Sequence, residues 1–226
     1  MDDRPAPPLS PEPVSGPRDG DLPAYLGNGL IGIRVREVPL FAGMVLVSGL
    51  AGAHPERGIE AAAAAPYPLS GDLAIDGVWM SEQPWAVGDL RQSYDFATAE
   101  LHSAFTYQVG SRTLSVEVVT FASRTAPSIV AQEIRVTADG PCDLKFQAVV
   151  SIAGLTGRIA RRRTDTPGEP EPAGDGSLLW ETAEALGQCG LSLVTKAPAA
   201  AGRQVLTWSD AGPLCTEYEI RLASGR

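Results

Sequence analysis

Few residues of this 226-residue chain have the type and spacing to do chemistry. Glu117, Glu133, Glu217 and Glu219 are acidic, and a positioned pair of carboxyls can act as general acid and general base. These four fall on alternating phases of strand-like segments, as solvated strand residues do, and nothing picks out an acid and a base. His54 lies in a Gly/Ala-rich loop beside Pro55, and His102 lies inside a strand on the phase opposite Leu101. Either could act with a glutamate as a general acid–base. Trp79, Trp85, Trp180 and Trp208 could stack on sugar rings, although aromatics in sheets more often pack a core or an edge. Trp85 is the best placed, because it follows Pro84 in a loop. Asn28, between Gly27 and Gly29, can offer both a donor and an acceptor on a backbone free to pass close to another surface.

Metal and redox chemistry find little support. Cys142, Cys189 and Cys215 are odd in number and widely spaced, with no CxxC pair, and only two histidines could assist them. A structural zinc site is not expected, and the thiols read as reduced and mostly buried. No cofactor motif is visible. The net charge of −9 argues against nucleic acid and anionic membrane as general partners. The first twenty residues hold no apolar signal-peptide core, and no stretch has membrane-spanning length, so cytoplasm is the default expectation.

The elements that must position these residues are almost all strands. Residues 1–21 contain six prolines and read as a disordered or extended lead-in, with a folded domain expected over 22–226. Leu30–Arg36 and Met44–Ser48 read as buried strands. Asp76-Gly77 and Gly110-Ser111 read as hairpin turns between Asp72–Ile75 and Val78–Trp79, and between Glu100–Val109 and Arg112–Ala122. Pro127–Thr137, Leu144–Ile152, Ser177–Thr182, Leu191–Thr195, Gln204–Trp208 and Glu217–Leu222 follow as strands. Only Ile59–Ala65 reads as helical, from its alanines, although Pro66 stops it within two turns and a low-complexity linker turn reads equally well. Gly157–Gly176, with Arg158, Arg161, Arg162, Arg163 and Glu169-Pro170-Glu171-Pro172, reads as one long polar loop whose charges partly compensate. With no long amphipathic helix, the expected fold is all-β with little helix. It is a large antiparallel two-sheet sandwich of the galactose mutarotase-like super-sandwich kind.

Leu26-Gly27-Asn28-Gly29-Leu30-Ile31-Gly32-Ile33-Arg34 reads physically as a tight turn entering a buried strand. It also resembles the opening strand of the N-terminal β-sandwich of glycoside hydrolase family 65. Four further segments fall in that family's order. Tyr67-Pro68-Leu69 lacks the Asn-Trp that follows in the family, and Arg91–Leu101 has Ala99 in place of a glycine. Phe121-Ala122-Ser123-Arg124 ends a strand in the family's manner, and Val150–Gly154 has Ala153 where an aspartate would stand. Glycoside hydrolase family 95 shares the Gly-Asn-Gly opening and is the nearest competitor.

The resemblance implies a two-part enzyme that hydrolyses or phosphorolyses α-glucosidic disaccharides such as maltose, trehalose or kojibiose. Its catalytic acid lies in an (α/α)6 barrel after the sandwich, and this sequence ends before such a barrel begins. The chain is therefore expected to be non-catalytic alone, with the barrel as partner in cis or in trans and room for a homodimer. Gly27, Asn28, Gly29 and Arg34 are implied at the domain interface, on the edge of the substrate pocket, while Trp85 remains the candidate for sugar stacking. A stand-alone carbohydrate-binding module and a mutarotase-type sugar epimerase stay open as alternatives.

Overall fold

The computed structural model describes residues 23–54, 56–164, 174–206 and 213–222. The expected lead-in, Trp208 and the Glu169–Pro172 stretch lie outside these residues. The described chain is all-β and antiparallel, with helix confined to three single 3-10 turns. Its strands are β1 (Ala24–Gly27), β2 (Ile31–Val35), β3 (Met44–Ala53), β4 (Glu60–Ala65), β5 (Tyr67–Ile75), β6 (Val78–Trp79), β7 (Val87–Asp95) and β8 (Glu100–Val109). They continue as β9 (Arg112–Ala122), β10 (Val130–Ala138), β11 (Cys142–Ser151), β12 (Gly157–Thr164), β13 (Gly176–Thr182), β14 (Gln188–Leu193), β15 (Gly202–Leu206) and β16 (Cys215–Leu222). The ladders group into four sheets, ordered β1-β2-β3-β4, β10-β9-β8-β7, β15-β16-β11-β5-β6 and β12-β13-β14.

Period-two patterning decides which sheets face each other. Leu114, Val116 and Val118 of β9 point inward while Ser115 and Glu117 point out. With Phe105 and Tyr107 of β8 they pack on Leu73 and Ile75 of β5 and Leu144 of β11. That is sheet on sheet, with the inward side chains forming the shared core. A second cluster joins Ile33, Val35 and Val45 to Tyr67 and Leu101, so the β1–β4 sheet covers the other end of the β7–β10 sheet. Val150, Leu178, Trp180, Leu193 and Leu214 form a third cluster under β12–β14.

Both predicted hairpins form. Asp76 and Gly77 each take positive φ, 48° and 88°, as a two-residue turn between twisted strands requires. Gly110 takes φ 57° at the β8–β9 turn.

Two expectations are corrected. Ile59–Ala65 is not helical, since Glu60–Ala65 is strand β4, paired antiparallel to β3. Helix propensity is a weak prior against a ready-made partner edge. Small side chains also suit this site, because a Cβ at Gly52 would come 3.0 Å from that of Ala63, and Thr182 Oγ1 donates to the Ala51 carbonyl at 2.7 Å. Gly157–Gly176 is not one loop either, since its arginine-rich first part is strand β12, paired with β13. Arg158 pairs with Glu181 across the ladder, and Arg162 Nη1 donates to the Pro213 carbonyl. Opposite charges across a ladder support pairing, whereas the sequence pattern there reads only as polar.

Candidate functional site

The β1–β2 hairpin is built by its turn. Gly29 has φ 94°, which a residue with a Cβ reaches only at a cost, and Asn28 organises the rest. Its Oδ1 accepts from the amides of Leu30 and Ile31 at 3.0 and 2.9 Å. Its Nδ2 donates to the carbonyls of Ser123 and Pro127 at 2.7 and 2.9 Å. Both amide hydrogens and both carbonyl lone pairs of the side chain are thus engaged within the chain. Asn28 fastens the turn to the β9–β10 connection and leaves Gly29 and Leu30 as the outward-facing surface.

Arg34 lies further along β2, opposite Tyr25 on one side and Met44 on the other. It is half-buried, and its Nε is shielded from solvent without a partner among the described residues. A Cβ at Gly43 would run into the Arg34 carbonyl, so the chain packs backbone against backbone there.

Around this turn lies the main apolar surface of the described chain. Ten large hydrophobic residues are exposed, and six of them belong to this end: Tyr25, Leu30, Leu46, Tyr94, Phe96 and Ile129. Connectivity brings them together. The Tyr94 hydroxyl accepts from the Tyr25 amide at 2.6 Å and donates to the Tyr25 carbonyl at 3.1 Å. Phe96, 89% exposed, stacks on Tyr94 with ring centroids 5.7 Å apart. Leu46 sits across from Gly32, Ser48 donates to the Leu30 carbonyl, and Ile129 adjoins the loop that Asn28 grips. Asp95 holds the β7–β8 tip in place. It accepts from the amides of Ala97 and Thr98, and these bonds hold its carboxyl below the usual range. Apolar clusters of this kind mark surfaces that another body covers.

Trp85 lies away from this end, on the 3-10 turn Pro84–Ala86 just before β7. It is 73% exposed and borders an open groove of about 470 Å³ shared with Gln83, Asp89, Thr106 and Gln108. The other described tryptophans differ from it, since Trp180 is buried in the third core cluster and Trp79 is partly covered on β6.

Among the described residues the acidic and histidine side chains show no convergent pair. Asp72 is the described carboxyl pushed upward, mainly by burial, but its Oδ1 accepts from the amides of Leu73 and Ser81. It ties β5 to the turn at Met80–Glu82. Glu217 is bound to Lys145 and Gln147. Glu133 pairs with Arg135, and Glu117 points outward from β9. His102 lies 3.3 Å from Glu100 on an exposed strand face, while His54 Nδ1 accepts from the Glu56 amide. Among the described residues no group of three His, Cys, Asp or Glu could hold a metal ion. Among the same residues no helix is long and apolar enough to cross a membrane.

Residues 24–161 match the family model described as glycosyl hydrolase family 65, N-terminal domain. Among solved structures, one named as a kojibiose phosphorylase from the human microbiome superposes with a TM-score of 0.68 at 11% identity. The superposition covers 89% of this chain and 28% of that one, so this chain spans a little over a quarter of its neighbour's length. No curated protein matches the chain.

Proposed function

The chain belongs to glycosyl hydrolase family 65 through its N-terminal domain, and on that premise we propose that it is the sandwich on which a catalytic (α/α)6 barrel docks. The barrel, in cis or in trans, supplies the catalytic acid. The assembly hydrolyses or phosphorolyses an α-glucosidic disaccharide. Residues 22–226 act as one non-catalytic domain, which also provides the surface for a homodimer.

The observation that carries this reading is the apolar end around Gly27-Asn28-Gly29. Six exposed large side chains from five segments lie at one end of the β7–β10 sheet, beside the turn for which the resemblance implies a domain interface. Leaving them in water is unfavourable, and burying them against a second body yields roughly 25 cal/mol per Å² of apolar area. The solved neighbour is several times longer than this chain, which leaves room in its architecture for such a body. Arg34, on the same hairpin, is the cation nearest the turn in sequence and belongs to the same pocket edge. The epimerase alternative finds less support, because it needs a histidine and a carboxyl converging in a pocket, and the His102–Glu100 pair is exposed on a strand.

The test is reconstitution. The chain is mixed with the barrel of a family 65 enzyme stripped of its own sandwich. Co-purification and restored turnover are expected, and both are expected to fail with Phe96→Ser combined with Ile129→Ser, whose own unfolding midpoint should match the parent. Release of glucose or glucose phosphate from maltose, trehalose or kojibiose by the pure chain, lost on changing one of its acidic residues, would overturn the reading.

A further inference from the structure

We propose that the groove beside Trp85 binds a neutral pyranose unit of an oligosaccharide. This site is separate from the apolar docking end. β7 runs from Val87 beside the groove to Asp95 at the docking end, and nine strand residues span about 30 Å. The two sites can therefore be occupied and tested independently, and this proposal does not rest on the docking one.

Four features of the groove point to a sugar. Pro84 restricts the backbone that presents Trp85, so a broad aromatic face is held in water at little further entropic cost. Opposite it, the β7–β8 ladder is irregular. Gly88 pairs with Thr106 and Arg91 with Ala104, so Asp89 and Leu90 together oppose the single residue Phe105. Such a bulge re-aims a side chain, and here Asp89 takes φ 51°, a left-handed conformation that residues with a Cβ adopt infrequently. Its carboxylate lines the groove and accepts from Thr106 Oγ1 at 3.2 Å.

Gly88 contributes bare backbone to the lining, where an added Cβ would meet the Thr106 hydroxyl at an ordinary contact distance of 3.4 Å. Gln83 and Gln108 add amide donors and acceptors at the rim.

Charge narrows the ligand class. Among the described residues no lysine, arginine or histidine lines the groove and one aspartate does, so phosphates and carboxylates meet a carboxylate with no compensating cation there. A neutral ring with an apolar C–H face and peripheral hydroxyls fits both surfaces. The face stacks on Trp85, and hydroxyls donate to Asp89 and exchange hydrogen bonds with the glutamines. The volume of about 470 Å³ lies within the range of small-ligand sites.

The experiment is a titration of the whole chain with maltose, maltoheptaose and cellobiose, with glycerol as the non-ring control, read by amide and indole nuclear magnetic resonance. Saturable shifts of the Trp85 indole and of the Gln83 and Gln108 amides are expected with at least one saccharide and not with glycerol. Trp85→Ala should weaken binding about tenfold, and Trp85→Phe should retain part of it. Gln108→Ala is a second variant, carrying the test should the first fail to fold, and it should also weaken binding. The proposal is overturned if no saccharide gives a saturable shift at Trp85. It is equally overturned if glycerol reproduces the shifts, or if folded Trp85→Ala or Gln108→Ala binds as tightly as the parent.

Discussion

Asn28 and Ser123 stand 95 positions apart and are joined by a 2.7 Å hydrogen bond from the Asn28 side-chain amide to the Ser123 carbonyl. With the bond to Pro127, this fixes the first hairpin on the sheet that lies beneath it. Asn28→Ala should lower stability by about 1–3 kcal/mol, because the partly covered Ser123 carbonyl, the exposed Pro127 carbonyl and two turn amides lose their partner. Asn28→Asp should cost at least as much, since its carboxylate keeps the turn amides but faces two carbonyls. Urea unfolding of both variants checks this, and an aspartate variant as stable as the parent would contradict the assignment.

Gly29→Val tests the turn's backbone. Nothing lies within 4 Å of a Cβ at Gly29, so the expected loss of about 1–3 kcal/mol comes from φ 94° alone. Gly32, equally open but without positive φ, is the control, and Gly32→Ala should be near neutral. Equal unfolding midpoints for the two variants would refute the distinction.

Ala99 has φ 62° in the β7–β8 tip, at the position where the related family carries glycine. Ala99→Gly should relieve this conformation and stabilise the protein by up to about 1 kcal/mol, against the small entropic cost of a new glycine. Thermal unfolding gives the sign, and a clear drop in midpoint would show that the tip holds alanine without strain.

Asp72 makes a pH prediction. Burial, ahead of its other influences, raises its carboxyl above the ordinary 3.8, so the fold favours the neutral form. A raised folded pKa gives stability that is complete below the unfolded value and is lost as pH rises through the folded one. Stability should therefore carry a declining contribution from about pH 4 upward, and Asp72→Asn should flatten it while keeping an acceptor for Leu73 and Ser81. Unfolding free energies of parent and variant across about pH 4–7 decide it, and parallel curves would contradict the prediction.

The cysteines should differ in reactivity. Burial, then the charge of Glu217, pushes the Cys215 thiol up to about 12, and Cys142 is also buried and raised. Cys189 is partly accessible. A thiol-labelling time course followed by peptide mapping should modify Cys189 first and leave Cys215 unmodified until the protein unfolds. Early labelling of Cys215 would refute its burial.

Much of the fold was legible because the strands alternate and the turns carry Asp-Gly and Gly-Ser. Leu114, Val116 and Val118 announced a buried face, and Asp76-Gly77 announced its hairpin. The alanines of Glu60–Ala65 misled because composition speaks for the isolated segment, whereas β3 supplies the partner that makes them a strand. The exposure of Trp85 followed from its place after Pro84. Asp89 and Thr106 could not be foreseen, since a bulge leaves no mark in an otherwise ordinary sequence. Tyr94 and Phe96 share a strand phase, but only the Tyr25–Tyr94 hydrogen bonds show which end of the molecule they occupy.

The middle strand of the five-stranded sheet has a consequence for synthesis on the ribosome. β11 hydrogen-bonds to β5 on one side and to β16 on the other, so Gln147 lies between Asp72 and Glu217. One edge of β11 can be satisfied as soon as it emerges, but the other waits until Cys215–Leu222 has been made. During that interval the nascent chain shows a bare row of backbone donors and acceptors along a largely apolar strand, the kind of edge that recruits neighbouring chains. Slow translation between β11 and β16 should therefore favour aggregation, and holding a chaperone on the nascent chain over that stretch should relieve it.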